Sequence, residues 1–420
     1  MEPKLELVKA PELLAPAGDP ERLAAALQYG ADAVYLGGQE FGMRAAPSNF
    51  THEDLKKACE QAHAKGVKVH LTCNTLPRNE ELKLLPGFLE QAQDAGVDAF
   101  IIADIGVLRA AQKYAPNVEI HMSTQAGVVN YATANALYDL GVKRVVMARE
   151  VSLDDIATIR ANTPKDLEIE AFVHGAMCMS FSGRCLLSNY MTGRDSNRGD
   201  CAQPCRWKYH LIEEKRPGQQ FEITEEAGNG TYILNSKDMC MIEHLPDLVA
   251  AGVDSFKIEG RAKSAFYVAT ITNAYRAAID GFLKHPSLDY RPEQWIVDET
   301  RKISYRDYCT GFFYGDPSED ANLYYDGIYI RKWDVVAGVQ GSDGAFVTVT
   351  QRNRFFEGDE LEVMTPGNPP FTITVEEMYN AAGERIDVAP NPMATIRIKC
   401  DKDIPAGAIM RLPREWKETK

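Results

Sequence analysis

The sequence predicts an α/β fold, a (β/α)8 TIM-type barrel with a cysteine-rich insertion and a small C-terminal β-barrel domain. Three observations predict it. A helix-like stretch that ends at a glycine and runs into an apolar β-rich segment recurs at Gly30, Gly66, Gly96, Gly141 and Gly252. Three more apolar runs fit between these units, which brings the strand count to eight. Beyond Asp334 the chain changes to short β-rich runs parted by turn residues.

The repeated unit has a stereochemical reason. A glycine just past a helix takes the left-handed conformation that strains other residues, so it marks the helix end. The runs that follow, ADAVYLGG, VKVHLTCN, VDAFIIAD, VKRVVMARE and VDSFKIEGR, are continuous instead of alternating, as expected where helices cover the sheet. ELLAPAG, VEIHMST around His121 and LEIEAFVHG supply the other strands. Asp19 caps the first helix and Pro20 opens its first turn. An open doubly wound sheet is the alternative, but APAGDPERL lacks the glycine spacing of a dinucleotide-binding turn.

These elements divide the chain into a barrel over 1–285 with its insertion at about 175–232, a connector over 286–333 and a β-domain over 334–420. Within the insertion, YHLIEE and TYILNSKDM read as a hairpin laid over the barrel mouth. Aromatics crowd the connector at Tyr305, Tyr308, Phe312, Phe313, Tyr314, Tyr324, Tyr325 and Tyr329. Base stacking by them is conceivable, and packing against the barrel is the commoner explanation. Runs such as AFVTVTQ, FTITVEEM and TIRIKC between turns suggest the small β-barrel.

A chain of 420 residues, 45% hydrophobic and 25% charged, has the size and composition of an ordinary soluble protein of barrel size plus a smaller domain. No apolar run is long enough for a membrane span, and the first residues have no apolar core with a basic flank. The expectation is a cytoplasmic protein with no membrane contact. A net charge of -14 argues against indiscriminate nucleic-acid binding, so an RNA partner would need a local patch. Candidates are Arg184, Arg194, Arg198, Arg206 and Lys208, or Arg352 and Arg354 with the tail residues Arg411, Arg414 and Lys417. Ion pairs with Asp195 and Asp200 are an equally plain use of the first group.

Four of the nine cysteines, Cys178, Cys185, Cys201 and Cys205, fall in one segment rich in Gly, Ser, Asn and Arg. Thiolates are soft, negative ligands, and four of them can close a tetrahedral Zn2+ site or hold an iron–sulfur cluster. Spacing alone leaves both open. The three-cysteine motif of radical S-adenosylmethionine enzymes is absent, because Lys208 stands where its third cysteine would fall. No H-E-x-x-H or G-x-S-x-G occurs, so the usual hydrolase signatures are missing.

The run Glu170, Phe172, Gly175, Ala176, Met177 and Cys178, with Gly183, Cys185 and Ser188, resembles the signature of the peptidase U32 family of collagenase-like proteases. RDSNRG at 194–199, the Cys201 and Cys205 pair and KIEGR at 257–261 extend the resemblance over nearly the whole chain. Within the family it is similar to the branch of bacterial tRNA 5-hydroxyuridine hydroxylation proteins. The resemblance implies prephenate-dependent hydroxylation of the wobble uridine, with the four cysteines as ligands of a [4Fe-4S] cluster and the tRNA anticodon loop as partner. A peptidase, hydroxylation of another RNA or aromatic ring, and a zinc scaffold remain the rival readings; the tRNA-hydroxylase reading also allows a paralogous partner subunit.

A dicarboxylate donor of that kind needs fixed cations, and Arg149, Arg184, Arg198 and Arg261 lie at strand ends or in the insertion. His174 and Glu259, also at strand ends, are the candidate proton carriers. A packed neutral histidine, and an ion pair of Glu259 with Lys257 or Arg261, are the plain alternatives.

Overall fold

β1 (Glu12–Pro16), β2 (Ala33–Gly37), β3 (Lys68–Cys73), β4 (Ala99–Ile102), β5 (Glu119–Met122), β6 (Arg144–Val146) and β7 (Glu168–Ala176) pair in order and in parallel. The computed structural model describes residues 9–42, 49–178, 185–207, 211–212, 220–221, 236–315 and 329–414. β8 (Leu211–Ile212) and β9 (Gln220–Phe221) form a short hairpin, and β10 (Asp238–Cys240) lies antiparallel against the end of β7. β11 (Ser255–Ile258) then pairs with both β7 and β1, which closes an eight-stranded ring. All eight strands are those expected from the sequence.

Helices α1 (Pro20–Gln28), α2 (His52–His63), α3 (Leu85–Asp94), α4 (Ile105–Tyr114), α5 (Tyr131–Asp139) and α6 (Leu153–Ala161) follow the first six strands. Local chemistry starts them: Asp19, Thr51, Asp104, Asn130 and Ser152 each accept a backbone N–H of the first turn. α7 (Leu187–Thr192) belongs to the insertion, α8 (Leu245–Ala250) precedes β11, and the long α9 (Ala265–Lys284) follows it.

One expectation is corrected. The partner of Leu211–Ile212 is Gln220–Phe221, whereas Asp238–Cys240 joins the barrel wall beside β7; residues 231–235 lie outside the described residues. The segment expected as a connector packs against the barrel: α10 (Gln294–Glu299) and β12 (Tyr308–Cys309) lie there, with Ile296, Val297, Ile303, Tyr305 and Phe313 in the barrel core. Tyr324 and Tyr325 lie outside the described residues.

The lower half of the barrel interior is charged. Arg144, 1% exposed, reaches Glu12 at 2.6 Å, Glu168 at 2.6 Å and Glu170 at 2.9 Å. Lys257 donates to Glu170 at 2.6 Å, and Ser255 joins Glu12. These residues come from β1, β6, β7 and β11, so the network crosses the seam where the ring closes. Burial opposes each carboxylate, yet the cations win: Glu170 is held down at about 2 and Glu12 well below the ordinary range. His70 and His121 pack edge to face above it at 4.8 Å. Burial pushes His70 down to about 4 and His121 well below its usual value, so both are neutral.

The C-terminal domain is an antiparallel sheet. Its strands are β13 (Trp333–Ser342), β14 (Phe346–Gln351), β15 (Phe355–Phe356), β16 (Glu360–Met364), β17 (Phe371–Thr374), β18 (Met378–Tyr379), β19 (Arg385–Ile386), β20 (Val388–Ala389), β21 (Thr395–Lys399) and β22 (Ile409–Pro413). Eight of them pair in the order β17-β16-β22-β13-β14-β21-β18-β19, and β15 pairs with β20. The expected β-barrel is therefore a half-barrel: among the described residues no pairing joins β17 to β19. The sheet folds over its own core of Val336, Val347, Leu361, Ile373, Ile396 and Met410.

This domain docks on the outer helices. Tyr29 donates to the carbonyl of Gly407 at 3.1 Å, and Asn273 accepts from the N–H of Gly367 at 2.7 Å. A side chain on Gly407 would strike Gln28. Arg411, fully buried, pairs with the equally buried Glu299 and with Glu362. It is therefore an interdomain tie and is unavailable to RNA, against the expectation for the basic tail. Arg352 pairs with Glu21 and Arg414 with Asp334, while Lys417 lies outside the described residues.

The interior charges set two expectations. Glu170→Gln leaves Lys257 and Arg144 with less buried counter-charge and should cost roughly 3–5 kcal/mol in urea unfolding. Because His70 and His121 titrate lower when folded than the usual 6.5, the unfolded chain takes up more protons between those values. Stability from them is complete above about pH 6.5 and falls as pH drops toward 4, where Glu12 and Glu170 begin to add to the loss. Urea midpoints measured from pH 8 to 4 should fall across that window, and a His70→Asn, His121→Asn double variant should flatten the upper part of the slope.

Candidate active site

The upper ends of the strands carry the residues expected to do chemistry. Thr72, next to last in β3, accepts a 2.6 Å hydrogen bond from Arg261 just beyond β11. Arg261 is 3% exposed, and an added Cβ on Gly37 would sit 2.7 Å from its guanidinium. Gly18 lies against the Arg261 carbonyl so closely that no side chain fits. Arg261 is thus a buried brace across the mouth between β11, β2 and β3.

Arg149, after β6, donates to the carbonyl of Ala176 at 2.8 Å and pairs with Glu259 at 3.3 Å. Its guanidinium stacks 4.0 Å above Phe172. Arg149 also lines a small cavity with Met147, Ala148, Phe172, Met239 and Phe313. Glu259 is held further by its backbone, whose N–H donates to the His174 carbonyl at 2.9 Å and whose carbonyl accepts from Tyr267 at 2.8 Å.

His174 is 1% exposed and enclosed by the rings of Tyr267, Tyr275 and Tyr308 at 6.1, 5.6 and 5.4 Å. Burial, with a lesser push from Lys263, lowers its pKa to about 3. It is a neutral imidazole, with Tyr275 at 3.5 Å from Nδ1. Glu259 is the more accessible of the two expected proton carriers, with an 18% exposed side chain.

The cysteine segment folds back over the loop after β3. Arg198 donates to the Leu76 carbonyl at 3.1 Å and pairs with Glu81, so this arginine fastens the segment to the barrel. Arg194 pairs with Asp200 at 2.8 Å. Arg184 and Lys208 lie outside the described residues. α7 ends at the left-handed Gly193, and its exposed face presents Tyr190, 90% exposed, with Trp207 standing out nearby in the chain.

Cys178 is exposed and Cys185, Cys201 and Cys205 are half-buried, with no disulfide among the described residues. The Cys201 sulfur accepts the N–H of Gln203 at 3.3 Å. Burial raises the Cys205 pKa, Arg206 lowers it, and the charges of Cys178, Cys201 and Cys185 raise it further. Among the described residues no three His, Cys, Asp or Glu side chains are gathered tightly enough to hold a metal ion. In donor chemistry the set suits a thiolate-bound metal: four soft ligands from one segment, a neighbouring cation and an amide donor to sulfur.

A further group was missed by sequence reasoning. Arg206, Lys263 and Arg306 converge on Tyr329: Arg206 donates to its hydroxyl at 3.0 Å, and Lys263 and Arg306 lie 4.0 and 4.2 Å from its ring centre. Burial pushes the Tyr329 pKa up, but the three cations outweigh it and the net direction is down. Four positions so far apart in the chain make no local motif; Arg206 beside Cys205 was the one visible signal.

Residues 18–323 match the family model described as peptidase family U32, and residues 331–411 match that of the peptidase family U32 C-terminal domain. A tRNA hydroxylation protein P1 of Bacillus subtilis (strain 168) is 39% identical over 410 residues, 97% of this chain and 96% of that protein. A tRNA hydroxylation protein P of Escherichia coli (strain K12) is 36% identical over 436 residues, 94% of each. A collagenase of Porphyromonas gingivalis (strain ATCC BAA-308 / W83) is 33% identical over 380 residues, 87% of this chain and 89% of that protein.

The close fit at Gly18 gives a local test. Gly18→Ala must displace the Arg261 backbone, so thermal unfolding should reveal a loss of about 1–3 kcal/mol, while Gly87→Ala, with open space around it in α3 and an ordinary backbone, should show none.

Proposed function

The chain belongs to peptidase family U32, and from that premise we propose that it hydroxylates tRNA, converting the wobble uridine to 5-hydroxyuridine with prephenate as the hydroxyl donor. The observation that carries this reading is the likeness, over almost the full length of both chains, to tRNA hydroxylation proteins. The surface of the cysteine segment supports it. Tyr190 and Trp207 offer aromatic faces on which a base can stack, although the chain as a whole is acidic. An anticodon loop already presents unpaired bases, which lowers the cost of delivering one to the barrel mouth.

Cys178, Cys185, Cys201 and Cys205 would hold the [4Fe-4S] cluster, which when bound supplies electron transfer or structural support. The chain's own residues do the rest. Arg149 presents a cation at the mouth, and Glu259, steered by it, is the group that can accept or return a proton. Arg198 and Arg261 keep the segment and the strand ends in place. His174, neutral and enclosed, fixes the wall behind Tyr267 and Tyr275.

The collagenase among the relatives keeps a peptidase as the second reading. Nucleoside mass spectrometry separates the two: tRNA from a strain lacking this gene should have lost 5-hydroxyuridine, and unchanged tRNA would refute the first. Protein purified without oxygen should be brown, with absorbance near about 400 nm. Cys201→Ser should bleach it and abolish the modification together; a colourless but active protein would remove the cluster from the proposal.

A further inference from the structure

The strongest feature left unexplained is the cation group at Tyr329. Arg306 is 3% exposed, yet its Nε and Nη1 have no hydrogen-bond partner among the described residues. Its ion-pair contact there is Asp238, 3.7 Å away and itself 3% exposed. Lys263 and Arg206 have no carboxylate within ion-pair distance among the described residues; Lys263 instead faces the rings of Tyr329 and Tyr267 at 4.0 and 5.4 Å. Of the three cations, only Arg306 has a carboxylate within ion-pair distance among the described residues. Unpaired buried guanidinium donors are costly, and an anion that meets them removes the cost.

The location is as specific as the charge. Asp238 begins β10, opposite Ala176 at the end of β7; Lys263 follows β11; Arg306 precedes β12; Arg206 adjoins Cys205. The four segments meet at the same end of the barrel as Glu259, whose carbonyl is bonded to Tyr267. We propose that Arg306, Lys263 and Arg206 form a binding site for a small organic dicarboxylate, with the rings of Tyr329 and Tyr267 as its apolar wall.

Two cations without a carboxylate among the described residues suit a dianion, and the flat aromatic surfaces suit a donor whose carboxylates are borne on a ring. An RNA phosphate has the same charge chemistry, but a guanidinium 3% exposed is out of reach of a polymer backbone and within reach of a small acid. This inference deepens the donor reading above and rests on it for the ligand's identity, while the site itself stands on the geometry.

Isothermal titration of the full-length protein tests it, with prephenate, malonate, inorganic phosphate and an anticodon stem-loop as separate probes. Wild type should bind prephenate, and Lys263→Gln and Arg306→Gln should each weaken it at least about tenfold, with Arg306→Lys recovering part of the loss. Circular dichroism checks that the variants fold, and Lys263→Gln, at a half-buried position, keeps the test usable should Arg306→Gln fail. Equal binding of prephenate by wild type and both variants overturns the site and leaves the donor reading intact. Malonate binding that depends on Lys263 and Arg306, without prephenate binding, supports the site and removes prephenate as donor. Phosphate or stem-loop binding that alone depends on these residues overturns the proposal in favour of an RNA contact, and no small dianion bound by wild type overturns it outright.

Discussion

The ring closes because charges inside it have nowhere else to go. Arg144 and Lys257 sit on β6 and β11, and their carboxylates Glu12, Glu168 and Glu170 sit on β1 and β7. Opening the seam between β7 and β11 would break the pairs that cross it, Lys257 with Glu170 and Arg144 with Glu12, along with the backbone hydrogen bonds of the ladder. Closure and ion pairing are therefore one cooperative event. Apolar side chains between strands and helices then supply the bulk of the stabilisation, as Leu13, Val34, Val69 and Phe100 illustrate.

With the lower layer locked in this way, the upper ends of the strands are left to loops. The long excursions leave from the end of β7 and return beside it through β10, so the cysteine segment is tethered at both ends to one edge of the mouth. Arg198 pins its far side to the β3 loop. The C-terminal half-barrel docks on the outer helices through Arg411 and Glu299 instead of competing for the mouth.

The eight strands were legible because glycine termini and apolar runs are local signals, and local signals survive in any context. The charged interior was not. VKRVVMARE and LEIEAFVHG read as apolar strands with stray charges, and only the register that sets Arg144 opposite Glu168, and the closure that brings Glu12 near, turns the strays into a network. TYILNSKDM was β-rich enough to suggest a hairpin, but Asp238 to Cys240 found a ready strand edge in β7. At the site, the strand-end rule named Arg149 and Glu259, yet it could not say that they pair, nor that Arg198 and Arg261 are engaged in holding loops. Such facts depend on distances between segments that the sequence separates by scores of residues.

The same reasoning explains why the Tyr329 cations stand out from the charges that hold the scaffold together. Arg144 and Arg411 are as deeply buried as Arg306, but each has carboxylates at hydrogen-bonding distance. Arg306 has one, at 3.7 Å, and two donors unmet among the described residues. Leaving them so costs the fold roughly 1–3 kcal/mol per group, comparable with the loss of a good core contact. A chain that surrounds Arg144 with three carboxylates and Arg411 with two does not lack the means to satisfy this one. The position of the exception, beside the cysteines and at the end of the barrel where the strands deliver their side chains, makes it a property of the site and not of the scaffold.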